Sequence, residues 1–97
     1  MHVISYKRIR EFNKVHPDAG LKLGRWYKWM KKGNYKNLAE LRRKFPGVDY
    51  IGNDRYVFKI SGNKYRIVAM INFKAHRAYI RYIGTHANYD KTDCTNI

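Results

Sequence analysis

A short segment near the end of the sequence brings together side chains that can transfer protons. The stretch Gly84 to Lys91 contains His86, Tyr89 and Lys91 within six residues. Cleavage of RNA without a metal needs a base for the 2′-hydroxyl, a cation for the crowded phosphate and an acid for the departing 5′ oxygen. Histidine changes charge near neutral pH, and tyrosine can donate a proton or stack on a base. His86 and Tyr89 are therefore candidates for this chemistry, although a histidine after a strand is often only a polar turn residue.

Arg66 is the candidate cation. It lies within the mainly apolar run from Tyr65 to Phe73, where a charge costs free energy unless it is paired or faces a cleft. Strand alternation predicts that Lys64 projects from the same face, and an antiparallel neighbour could bring Arg81 close to Arg66. Such cations could hold phosphates. A structural ion pair is the alternative for Arg66, but only seven acids are available to 21 lysines and arginines.

The sequence contains no recognisable metal or nucleotide motif. Its four histidines and its single cysteine, Cys94, fall at no metal-ligand spacing, and only Asp90 and Asp93 form a close acidic pair. One cysteine cannot form an internal disulfide. Neither a GxxxxGK[ST] phosphate loop nor a GxSxG elbow is present. We therefore expect chemistry without a metal or a cofactor.

The formal net charge of +14 at pH 7 indicates a polyanionic partner, of which nucleic acid is the natural one. A membrane surface is the competing polyanion. No apolar run approaches the roughly 18 residues of a spanning helix, and Lys7, Arg8 and Arg10 interrupt any signal-peptide core. We expect a cytoplasmic protein that does not use a membrane.

The elements that would position these residues predict one α+β domain over residues 1–97. Met1 to Ile4 is a short β-type segment, and helical apolar spacing follows in two stretches, Tyr6 to Phe12 and Leu23 to Met30. A capping box at Asn37 and Glu40 predicts a third, shorter helix. Four β-type segments then alternate with glycine- and asparagine-containing turns between residues 50 and 83. We predict a short N-terminal strand and two to three helices packed on one face of an antiparallel β-meander.

Two motifs give the sequence a family resemblance. The G-N-x-Y-R block that begins at Gly62 and the T-H-x-x-Y-D-K ending that begins at Thr85 are supported by Met1 to Ser5 and Val57 to Ile60. Together they resemble HigB-type toxins of type II toxin–antitoxin systems, within the RelE-like superfamily. The likeness extends over nearly the whole chain. It departs at Asn88, where an acid is expected, and at Lys59, where an asparagine is expected.

The resemblance implies a RelE-like fold and an mRNA interferase that cleaves messenger RNA in the A site of the translating ribosome. It implies neutralisation by a HigA-type antitoxin, with operator DNA contacted only through the antitoxin complex. Arg66 would contact the scissile phosphate, and His86 and Tyr89 would share proton transfer and base stacking. The supporting phosphate contacts would come from three further cations: Lys64, Arg81 and Lys91.

The leading alternative is a non-catalytic RNA-binding or ribosome-associated module, which the basic charge and interleaved aromatic residues would suit equally. A DNA-binding protein is a third reading, but no clear helix-turn-helix is present. Replacing His86 by Ala separates the first two classes. An RNase should lose toxicity and keep most of its RNA affinity, whereas a binding module should barely change.

Overall fold

Helices and strands occupy most of the chain, and the computed structural model describes all residues from 1 to 97. The elements in chain order are β1 (His2–Ile4), α1 (Tyr6–Val15), a 3-10 turn (Pro17–Ala19), α2 (Gly20–Lys32), α3 (Leu38–Lys44), β2 (Asp49–Gly52), β3 (Arg55–Ile60), β4 (Tyr65–Asn72), β5 (Arg77–Thr85) and α4 (His86–Asp90). None of the helices combines the length and the apolar character that a membrane span requires.

The strands form one five-stranded sheet in the order β1-β5-β4-β3-β2. Strands β2 to β5 are antiparallel neighbours, which confirms the predicted meander. The short first strand lies parallel to β5, with His2 opposite Arg77, so the complete sheet is mixed. β4 therefore has a neighbour on each side, and the residues at its beginning are held between β3 and β5.

The three predicted helices pack on one face of the sheet. α2 buries Leu23, Trp26 and Met30, which recur at helical spacing. At α3 the Asn37 side chain accepts a hydrogen bond from the Glu40 amide at 3.0 Å, which confirms the predicted cap. Ser5 does precede α1, but it adopts a left-handed φ of 79° and its hydroxyl makes no capping bond. The first turn of α1 therefore has no side-chain cap.

A second, smaller cluster covers part of the opposite face. Val57, Val68 and Cys94 are buried there, with Tyr82 and Tyr89 packed against them. Arg55 donates a hydrogen bond to the Ile97 carbonyl, and Asn53 donates another to that of Thr95, so residues after α4 lie across this face. The central strand is consequently covered on both sides, as its continuous apolar run predicts. The helix α4 on this second face was not predicted.

A β-bulge lies in the middle of β5. Val68 is opposite Tyr82 and Ala69 is opposite Ile80, which leaves Arg81 as the extra residue. Tyr79 is opposite Met70 and Ile83 is opposite Ile67, and these two β4 residues point to opposite faces. Because the bulge reverses the alternation, Tyr79 and Ile83 lie on opposite faces of the sheet.

Candidate active site

The beginning of β4, the end of β5 and the short helix α4 meet on the face opposite the three larger helices. Arg66 on β4 is opposite Gly84 on β5. One residue later Thr85 caps α4, where its hydroxyl accepts a hydrogen bond from the Asn88 amide at 3.2 Å. The His86 amide donates to the Lys64 carbonyl at 3.0 Å, which ties the start of α4 to β4. Residues three apart on α4, such as His86 and Tyr89, lie on the same side of the helix.

Arg66 is buried, with 5% of its surface exposed, yet it has no carboxylate partner. Its Nη1 donates to the carbonyls of Asn63 and Tyr65 at 3.1 and 3.3 Å. Its Nη2 donates to Asn63 Oδ1 at 2.7 Å and lies 3.3 Å from His86 Nδ1. Every one of these partners is a neutral acceptor. The full positive charge of the guanidinium thus remains available to an anion, and the structural ion pair considered from the sequence is absent.

His86 has two neighbours that make opposite demands on the same nitrogen. Nδ1 lies 3.3 Å from Arg66 Nη2 and 3.6 Å from Asp90 Oδ2. A guanidinium can only donate, so Nδ1 accepts in this arrangement and the ring proton resides on Nε2. The carboxylate would be favoured as a partner if Nδ1 carried the proton instead. His86 is thus placed to exchange between two tautomers, and almost half of its side chain is exposed to solvent.

Tyr89 packs beside the guanidinium, with the Arg66 Cζ 5.9 Å from the centre of its ring. Burial raises the pKa of the Tyr89 hydroxyl above the usual value of 10, and the nearby Arg66 charge opposes only part of that effect. The hydroxyl is therefore protonated at neutral pH. The three predicted catalytic residues Arg66, His86 and Tyr89 are brought together, and they can offer a cation, a titratable imidazole and a proton donor.

Sequence comparison assigns this chain to a known family. The family described as HigB toxin, RelE-like toxic component of a toxin–antitoxin system, matches residues 19–92. The chain belongs to this HigB family. It is 34% identical over 93 residues to the mRNA interferase HigB of Escherichia coli O6:H1, covering 94% of this chain and 90% of that protein. It is 33% identical over 93 residues to the mRNA interferase toxin HigB of Escherichia coli K12, covering 93% and 88%. The α+β architecture is consistent with the RelE-like fold of the family, as the motifs predicted.

Lys64 does not join the other predicted residues of this HigB-family chain. Its Nζ lies 2.7 Å from Asp18 Oδ2, and the hydroxyl of Tyr65 donates to the same carboxylate at 2.7 Å. These bonds lower the pKa of Asp18 and raise that of Lys64. The expectation that Lys64 and Arg66 project together is wrong, because Lys64 precedes β4 and extends toward the 3-10 turn on the helical side.

Arg81 and Lys91 lie at the margins of the cluster. Arg81 occupies the bulge, with its Cζ 5.6 Å from the centre of the Tyr79 ring and its Nε buried without a hydrogen-bond partner. It is not opposite Arg66, so the expected pairing of these two arginines is not formed. Lys91 follows α4, and its exposed side chain makes no ion pair.

The structure adds two residues that sequence reasoning did not assign to the site. Asn63 belongs to the G-N-x-Y-R block, but its role as a ligand of the guanidinium depends on the turn between β3 and β4. Asp90 stands four residues after His86, a helical spacing that would have signalled the contact if α4 had been predicted. No group of three or more His, Cys, Asp or Glu side chains is arranged to hold a metal ion.

Proposed function

We propose that residues 1–97 form one toxin domain that acts as an mRNA interferase, a metal-independent endoribonuclease. Two similar HigB proteins carry that name, and they cover about nine-tenths of this chain. The observation that carries the proposal is the buried Arg66, which contacts His86 and has only neutral hydrogen-bond partners. A charge held in this way stabilises an incoming phosphate and the crowded transition state of its transfer.

Binding of the scissile phosphate would rearrange one contact of Arg66. Two backbone carbonyls occupy Nη1, whereas Nη2 can exchange its long contact to His86 for a phosphate oxygen. The released imidazole can then carry its proton on Nδ1, facing Asp90, which leaves Nε2 unprotonated. In that tautomer His86 is the base of the reaction, and Asp90 is the residue that orients it.

The proton transfers follow from the state of each group. His86 Nε2 takes the proton of the 2′-hydroxyl as its oxygen attacks phosphorus, and the bond from phosphorus to the 5′ oxygen breaks. Tyr89 is protonated, so it gives its proton to the departing oxygen. Arg66 beside the ring stabilises the tyrosinate that forms. The products are a 2′,3′-cyclic phosphate and a 5′-hydroxyl, and Arg81 and Lys91 support flanking phosphates in this scheme.

The setting that we propose is the A site of the translating ribosome in the cytoplasm. Membership of a toxin–antitoxin family supports an antitoxin partner. We propose that this partner is a protein of the HigA type, and that it makes the contacts between the complex and operator DNA. The net charge of +14 suits a surface that approaches ribosome-bound message, because positive potential attracts polyanions over a distance.

The test is brief induction in a bacterial host, followed by growth measurement and mapping of new transcript 5′ ends. Wild type should arrest growth and produce breaks within coding regions, whereas Arg66→Ala and His86→Ala should do neither. Matched controls are Arg43→Ala and His2→Ala, since both residues are exposed and make no side-chain bond in the structure. Soluble, folded wild-type protein that causes no arrest and no new ends would overturn the proposal and leave a binding module.

A further inference from the structure

A concave surface on the helical side of the protein is separate from the Arg66 cluster. It lies between α2 and β3 and has a volume of about 230 Å³. We call it the α2–β3 groove, and its walls include six residues: Lys22, Arg25, Trp26, Trp29, Phe45 and Lys59. Two further hollows adjoin it, and Trp29 forms a wall of each. They add Lys28 on one side and Lys44 on the other.

The charge of this region has a single sign. Five cations line the groove and its two hollows, and no aspartate or glutamate does. None of the five takes part in an ion pair. The lysines and arginines that do form ion pairs are Lys7, Arg42 and Lys64. Cations held close together without acids repel one another, so this surface favours a ligand that carries several negative charges.

Two aromatic side chains distinguish the groove from a merely solvated basic face. Trp29 is 36% exposed, and Lys44 Nζ lies 4.1 Å from the centre of its ring. Trp26 is only 2% exposed, yet its indole Nε1 has no hydrogen-bond partner. Aromatic rings among cations are the combination that binds single-stranded nucleic acid, through base stacking and phosphate contacts.

The groove and the candidate active site adjoin at the turn between β3 and β4. Lys59 lines the groove, and in the β3–β4 ladder it is the direct partner of Arg66. Gly62 also lines the groove and precedes Asn63, which holds the guanidinium. Facing residues of antiparallel strands lie about 5 Å apart, and successive Cα atoms about 3.8 Å apart. Two residues that line the groove are thus backbone neighbours of the residues that form the Arg66 cluster.

We propose that the α2–β3 groove is a second RNA subsite, which binds the part of the message strand that flanks the cleaved bond. Trp29 stacks on a base, and Lys22 and Arg25 hold phosphates. Lys59 connects this subsite to the cleavage site. The inference rests on the proposed function in taking RNA as the substrate, but it concerns binding alone and can be tested without cleavage.

The protein provides its own probe, because its only two tryptophans, Trp26 and Trp29, both line the groove. Tryptophan emission should be measured during titration with 2′-O-methyl oligoribonucleotides of about three and about 12 nucleotides, lengths that bracket a single-strand site. These probes lack the 2′-hydroxyl and are not cleaved. The longer probe should change the emission saturably, whereas the shorter one should bind at least tenfold more weakly. Anisotropy of a labelled probe measures total binding in parallel.

Paired variants locate the contact. Lys22→Ala with Arg25→Ala should weaken binding of the longer probe at least tenfold and reduce its salt dependence by about 1.4 in log–log slope, at about 0.7 per phosphate contact. Lys14→Ala with Lys74→Ala removes the same charge from exposed positions on other elements and should change affinity less than threefold. His86→Ala should preserve the emission change. Circular dichroism verifies that each variant is folded.

Three results would overturn the subsite. The first is probe binding by anisotropy without any change in tryptophan emission. The second is an equal loss of affinity in the two paired variants. The third is an acidic peptide that displaces the oligonucleotide at equal concentration, which would assign the groove to a protein partner. Absence of RNA cleavage in cells affects the proposed function alone, since an emission change with the uncleavable probe would still establish the groove as an RNA site.

Discussion

Asn63 should control activity through the position of Arg66, and the structure gives the size of the effect. Its Oδ1 accepts from Arg66 Nη2 at 2.7 Å, the shortest of the contacts that the guanidinium makes. A hydrogen bond to a charged group contributes about 1.5–3 kcal/mol. Asn63→Ala removes the hydrogen bond that holds the guanidinium in position. If its energy is lost from the stabilisation of the transition state, the rate of cleavage should fall about 10- to 100-fold. The assay is cleavage of a defined message on purified, programmed ribosomes, with KM and kcat determined separately.

Asn63→Asp separates positioning from charge. The carboxylate can accept the same hydrogen bond, but it places a negative charge beside Arg66 and cancels the attraction for phosphate. Asn63→Asp should therefore raise the melting temperature and yet lower cleavage at least as much as Asn63→Ala. Asn34→Ala is the matched control, because Asn34 is exposed and its side chain makes no hydrogen bond. Full activity in Asn63→Asp would refute the reasoning, since it would show that the site does not need an uncompensated cation.

Three further predictions test neighbouring features of the site. Asp90→Asn should reduce kcat about two- to tenfold with little change in KM, because Asp90 orients His86 without touching RNA. An effect on KM alone would contradict the orienting role of Asp90. The raised pKa of Tyr89 keeps its neutral form stable, so this contribution to folding is present below pH 10 and lost as pH rises further. An ultraviolet difference titration against Tyr89→Phe should place the midpoint of the Tyr89 component above pH 10. A Cβ at Gly84 would overlap the ring and hydroxyl of Tyr82. Gly84→Ala should therefore lower the free energy of unfolding, measured by denaturant titration, by about 1–3 kcal/mol. An unchanged midpoint would contradict that packing.

Local signals predicted most of the fold. Apolar spacing identified α1 and α2, and the capping pair Asn37 and Glu40 identified α3. The β-type segments that alternate with turns after residue 50 identified the meander. The parallel pairing of β1 with β5 was not predictable in the same way, because it joins residues about 75 positions apart through contacts that leave no local pattern. The helix α4 was also missed, since it has a single turn and buries no residue completely.

Some residues of the site could be identified from the local sequence, whereas the positions of others depended on turn and bulge geometry. Arg66 was identifiable because a charge in an apolar strand is anomalous, and His86 and Tyr89 because their segment is polar and follows a strand. The position of Lys64 was wrong because the alternation rule was applied one residue before the strand begins, in a turn with its own geometry. The bulge at Arg81 likewise interrupts the period of two, and nothing in the local composition of β5 announces it.

The distribution of acids explains how a chain this basic keeps a selective site. With 21 lysines and arginines against seven acids, most cations must remain unpaired, so unpaired charge alone identifies nothing. What distinguishes Arg66 is burial without an acid, since burial makes an uncompensated charge costly. Asp90, the acid four residues after His86, lies 3.6 Å from the imidazole and forms no ion pair with the guanidinium. An acid paired with Arg66 would cancel the attraction of the guanidinium for a phosphate. The position of Asp90 beside His86 leaves that attraction intact, as the RNA-cleaving site that we propose needs.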